Sequence, residues 1–198
     1  MTAGSRGQIV VRTTDLSLVL GAIDRDLGRF RLRRREVSLD APPLGSPRRL
    51  DPPAGPDAVW FAFSVSSGVT WVLPEDLQSL FKVAWGIHGA LHTVPVVGSR
   101  QFAHGTFEVK GYLDRELVFK AGDDADSELA WIPGPITRER VAPVAAAFGG
   151  GAFAELVSAV ADRGATASDW DHAFPSGPTR QAFPGTDGGW RHVVWSRQ

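Results

Sequence analysis

The longest stretch of this chain with one clear periodicity is PEDLQSLFKVAWGIHGALHT, residues 74–93. Its apolar residues recur at helical spacing, so it predicts an amphipathic helix that needs a surface to pack on. Pro74 suits the first helical position, where a missing N–H loses no partner. Glu75 and Asp76 complement the positive end of the helix dipole. Leu77, Leu80, Phe81, Ala84 and Leu91 then fall on one face, with His88 near its centre and His92 on its flank. Gly86 and Gly89 fall on the opposite side. Each weakens a helix by about 1 kcal/mol relative to alanine, so the second half depends on tertiary packing.

His88 and His92 stand one helical turn apart. Two imidazoles at that spacing can hold a metal ion, or act as an acid–base pair, from one helix face. The HExxH arrangement of zinc proteases is excluded, because Gly89 stands where its glutamate would be. The plainer reading makes both histidines core or core-edge residues bonded to backbone. Asp171 and His172 are further candidates to complete such a site. Trp60, Trp71 and Trp85 are candidates to wall a small-molecule pocket beside it, although tryptophans at such positions more often build core.

The chain opens as strand, helix, strand. QIVVR (8–12) reads as a strand. Asp15 caps a helix whose apolar face is Leu16, Val19, Leu20, Ile23 and Leu27 and which closes at Gly28. Residues 29–39 read as a second strand. On it Arg29, Arg31, Arg33 and Arg35 share one face by alternation, a set of guanidiniums suited to a carboxylate or phosphate. A charged edge strand that resists aggregation would carry the same residues. The arginines belong to a wider asymmetry. Residues 1–50 hold ten arginines against five acids, whereas the remainder holds eleven bases against seventeen acids, so +5 and −6 sum to the net −1. Such an imbalance can mark an interaction surface but is too small for a dedicated nucleic-acid binder.

Six prolines between residues 40 and 57 mark a stiff loop inside one domain spanning 1–198, since forty residues are too few to fold alone. Strands are predicted at 58–65, 69–73, 94–97, 106–113, 116–121 and 129–132, with a hairpin turn at Asp114-Arg115. The first of these is apolar on most of both faces and belongs inside the sheet. Ser64, Ser66 and Ser67 do not form a nucleophile elbow. The acidic run at 122–128 lacks the glycine and glutamate of a calcium loop. Gly149-Gly150-Gly151 separates two helical segments and is neither a P-loop nor a dinucleotide fingerprint. The aromatic tail ends in a strand at 190–195.

With no cysteine, disulfides, thiolate ligands and cysteine nucleophiles are excluded. No apolar run is long enough to span a membrane, and no secretory leader is visible, so a cytoplasmic protein is expected. Eighteen arginines against three lysines, with abundant Ala, Gly and Pro, suggest a bacterial source. The segments predict an α+β fold. Its mostly antiparallel sheet of about six or seven strands opens with a β-α-β unit, and the helices pack on one face. The favoured function is a small binding protein whose arginine face, Arg29 to Arg35, engages an acidic protein partner, with no cofactor, nucleic acid or membrane involved. The alternative is a small enzyme or metal-dependent protein built around His88 and His92.

Overall fold

Alternation makes a strand of the QIVV segment, and in the computed structural model of the chain it lies inside an eight-stranded sheet. The structure describes residues 6–36, 58–66, 68–74, 78–101, 107–122, 144 and 191–197. Their elements are β1 (Arg6–Val11), α1 (Leu16–Gly28), β2 (Leu32–Glu36), β3 (Ala58–Ser66), β4 (Val69–Pro74) and α2 (Leu80–Ala90). β5 (Val96–Gln101), β6 (Phe107–Leu113), β7 (Glu116–Gly122) and β8 (Arg191–Arg197) follow. The strand order is β2-β8-β3-β4-β1-β5-β6-β7, and every pairing is antiparallel. The fold is therefore α+β with a mostly antiparallel sheet, and the described residues give eight strands where six or seven were expected. No helix among them is long and apolar enough to cross a membrane.

Period-two alternation sorts the sheet residues. Ile9 and Val11 lie opposite Thr70, Val72, Val96 and Gly98. With Phe61, Phe63, Val193, Trp195 and the buried sides of α1 and α2 they form the main core. Val10, Trp60, Trp71, Val97, Val109 and Val194 alternate to the other face and are buried as well. Strands that bury both faces read as nearly continuous apolar runs, as β3 does and as β8 does at its centre, Val193 to Trp195.

α1 begins where expected. Asp15 Oδ1 accepts from Ser17 N at 2.9 Å and Leu18 N at 3.4 Å, satisfying the first orphan donors. The Ser17 hydroxyl, which donates to the same oxygen, and then these two backbone bonds favour the ionised form and hold the Asp15 carboxyl below the usual range. The buried side is Val19, Leu20, Ala22, Ile23 and Leu27.

The strand-helix-strand opening does not place neighbouring strands together. β4, β3 and β8 lie between β1 and β2. Composition gives the reason: LRRRE cannot be buried on both sides, so it sits at the edge, and the more apolar β3 and β8 take the interior. Residues 29–31 are not strand. They turn off the end of α1, with Phe30 N donating to Leu27 O and Arg31 N to Gly28 O.

The organising helix also starts later than its periodicity predicts. Pro74 ends β4, buried and opposite Phe61, where a strand end tolerates the missing N–H. α2 begins at Leu80 and buries Leu80, Phe81, Val83, Ala84, Ile87 and His88. Gly86 is a packing residue. A Cβ there would meet Asp26 of α1, at 2.7 Å from Oδ2 and 2.8 Å from Cγ. A Cβ on Gly89 would meet nothing within 4 Å. Gly89→Ala is thus expected to raise stability by about 1 kcal/mol, whereas Gly86→Ala should lower it by forcing the helices apart. Urea unfolding of both variants checks this. Equal stabilisation by the two would show that Asp26 simply swings away.

The predicted turn at Asp114-Arg115 is present, and so is a tight connection between the predicted strands 58–65 and 69–73. Between β3 and β4, Gly68 adopts φ +77°, which glycine takes without strain, and its carbonyl accepts from Arg12 Nη1 at 2.6 Å. Between β6 and β7, Asp114 and Arg115 both have positive φ, the signature of a two-residue hairpin turn. The predicted strand at 129–132, the proline-rich loop, the acidic run and the helical segments around the glycine triplet lie outside the described residues, except that Val144 is helical and buried.

Candidate functional sites

The arginine site is built by the end of α1 and the edge of the sheet. Arg29 is the C-cap of α1, Arg31 sits in the turn, and only Arg33 and Arg35 lie on β2. The four therefore do not share a strand face, as simple alternation from residue 29 would have it. The turn inserted after Gly28 breaks the period. All four are exposed, and among the described residues none is in an ion pair. The intervening residues are engaged: Leu32 enters the core, and Arg34 Nη2 lies 3.4 Å from Asp24 Oδ2. Arg33 Nη1 lies 3.8 Å from where a Gly28 Cβ would stand, close to the negative end of the α1 dipole.

Two details of this corner were not foreseen. Arg31 has φ +61°, a left-handed conformation that disfavours side chains by roughly 1–2 kcal/mol. Phe30 beside it is 63% exposed. The sequence signal was available, since a helix closing at Gly28 leaves residues 29–31 to make the turn. Asp24 ties the corner together. It accepts from the indole Nε1 of Trp195 at 2.8 Å while facing Arg34.

The histidine site lies at the other end of the sheet. His88 is fully buried on α2, with its ring stacked on Tyr112 of β6 at 5.6 Å and tilted against Trp85 at 5.6 Å. Neither ring nitrogen has a hydrogen-bond partner among the described residues, and His92 Nδ1 is likewise buried and unpartnered. Among the described residues, the backbone bonds expected for core histidines are thus not made by either His88 nitrogen or by His92 Nδ1. Asp114 reaches this site through its N–H, which donates to His92 O at 2.9 Å. Burial pushes the His88 pKa down, and His92 pushes it the same way. Asp114 pulls it up. Among the described residues no three metal-ligating side chains come together. Asp171 and His172 lie outside the described residues.

The conjectured tryptophan pocket does not form. Trp60 and Trp71 are buried on the Val10 side of the sheet, while Trp85 is half exposed on α2 beside Tyr112. A strand alternates and a helix does not, so three residues on two kinds of element had no reason to converge.

An ionic cluster went unread in the sequence. Glu108 is buried and accepts from Arg100 Nε at 2.9 Å, with Arg100 Nη2 at 2.7 Å and Lys110 Nζ at 3.1 Å. Both cations also sit over the Phe81 ring, at 4.9 Å and 4.3 Å from its centroid. Register makes the cluster: Arg100 pairs with Glu108, and Lys110 follows on the same face. The spacing Glu-x-Lys within FEVKGYL was its only local sign.

Compared with protein-family models, with characterised proteins and with solved structures, the chain matches none.

Proposed function

We propose that the protein is a small cytoplasmic binding module that engages an acidic protein partner through the corner formed by Arg29, Arg31, Arg33 and Arg35. The fold proposed with it carries the helices on the Ile9 face and leaves this corner at the sheet's margin. The observation that carries the reading is that four exposed arginines fall within seven residues at the end of α1 and on β2, with no carboxylate paired to them among the described residues. Guanidiniums bind carboxylates in bidentate fashion, which suits them to acidic side chains. Arg31 adds weight. A glycine in its left-handed position would make a more stable protein, so the arginine is better explained by what its side chain contacts.

The test uses labelled poly-glutamate as the acidic probe and fluorescence anisotropy as the readout. Binding is expected to the native chain and to be lost in Arg31→Glu/Arg33→Glu, with the far-ultraviolet spectrum unchanged. Arg31→Gly should weaken binding while raising stability by about 1 kcal/mol. Unchanged binding by the double variant would overturn the reading. So would equal or tighter binding of a mixed-sequence DNA oligonucleotide at the same charge.

A further inference from the structure

Among the described residues the sheet ends at β2. Within the described residues this strand pairs with β8 and with no other strand, so alternate N–H and C=O groups on its outer side have no ladder partner. An unpaired edge is a template for another strand, which proteins either block or use. Here the edge carries three arginines and closes on Glu36, with Arg33 and Arg35 sharing the face turned from the core and Phe30 exposed at its head.

We infer that β2 receives an extended acidic segment of a partner protein as an added strand, with acidic side chains at alternate positions opposite Arg33 and Arg35. This rests on the binding reading above and specifies the form of the partner. The alternation follows from the sheet itself. Leu32 and Arg34 are directed to the core and to Asp24, which leaves Arg33 and Arg35 on the other face. In an added strand, side chains directly opposite these two come within about 5 Å at Cβ and recur every second residue. β2 has five residues, so the docked segment spans about 17 Å. Phe30 offers an apolar contact to whatever residue passes the head of the strand.

Charge selects this occupant over a second copy of the chain. Pairing two β2 edges would set arginines against arginines, which is repulsive at cross-strand distance. Charge also separates the proposal from simple edge protection. Like-signed arginines repel basic or neutral edges but attract an acidic strand, so protection and recognition differ in what they admit.

The experiment titrates the full chain against a short fluorescein-labelled peptide that alternates Glu and Val and ends in Phe. A second peptide has its valines replaced by proline, keeping every charge while removing ladder donors and strand geometry. The proline peptide is expected to bind about tenfold or more weakly. Carbonyl-labelled Glu/Val peptide should show an antiparallel-strand infrared band only in the complex. Arg33→Glu/Arg35→Glu should abolish binding of both peptides. If both peptides bind the native chain equally, strand addition is overturned and the arginine reading stands. If neither binds, both fall. If a peptide with Lys for Glu binds as well as the Glu peptide, the edge is not selective for acid and the inference is overturned. A Glu/Val peptide that instead drives the chain into larger oligomers would assign the edge to self-association and overturn it too.

Discussion

Trp195→Ala is expected to lower the free energy of unfolding by about 3–5 kcal/mol, enough to unfold a large fraction of a marginal domain. The indole is fully buried. Its ring meets Phe61 edge-on at 5.3 Å and Phe63 at 6.2 Å, and Nε1 donates to Asp24. Removing it leaves a void among aromatic rings and takes away one donor from the Asp24 carboxylate. It also loosens β8, which holds β2 to β3. Trp195→Phe should retain most of the packing and lose chiefly the hydrogen bond, about 1 kcal/mol. Urea midpoints of the two variants measure this. A loss below about 2 kcal/mol for the alanine variant would place the indole outside the cooperative core.

His88→Leu should have the second-largest effect, and of opposite sign. An imidazole buried with neither nitrogen partnered among the described residues gives up its solvation without return, and a leucine of similar volume does not. A gain of about 1–3 kcal/mol is expected near neutral pH. The pH dependence sharpens the prediction. Unfolded, His88 titrates near the ordinary histidine value of about 6.5, whereas in the fold burial makes it bind a proton only at lower pH. Between those two values the unfolded state holds more protons, so stability rises with pH there. The His88 contribution is complete above the unfolded value and is lost as pH falls towards the folded one. The native chain should therefore weaken between about pH 7 and pH 5 more than His88→Leu does. Parallel curves for the two proteins would show that His88 stays unprotonated or finds a partner. A stability loss in His88→Leu would show that the imidazole is bonded after all.

The sequence was most legible where one period ran without interruption. α1, with its aspartate cap and closing glycine, and the β6–β7 hairpin are where the pattern places them. It was least legible at joins. Nothing local distinguishes a proline that opens a helix from one that closes a strand, and Pro74 has both neighbours available to it. The arginine corner was half legible. The residues were identifiable from charge, but their common face was not, because one turn after Gly28 shifts the register by three residues. His88 was correctly placed on the buried side of α2. Whether its nitrogens have partners depends on β6 and on the Asp114 turn, which only the fold brings near. The Glu108 cluster depends on pairing between strands, and so does strand order. Both are set by residues distant in sequence, which periodicity does not record.

The position of β8 has a consequence for synthesis. Its Trp195 bonds to Asp24, 171 residues away, and β8 lies between β2 and β3. As the chain leaves the ribosome, β3, β4, β1, β5, β6 and β7 can pair in turn, but among the described strands β2 has only β8 to join, and β8 emerges last. Six of the eight described strands can thus assemble early, while β2 waits for a strand made much later. Contacts this distant slow folding, and an open β3 edge invites wrong pairing in the interval. The run of arginines on the waiting β2 keeps that segment soluble during the same period, by the repulsion that discourages like-charged strands from associating.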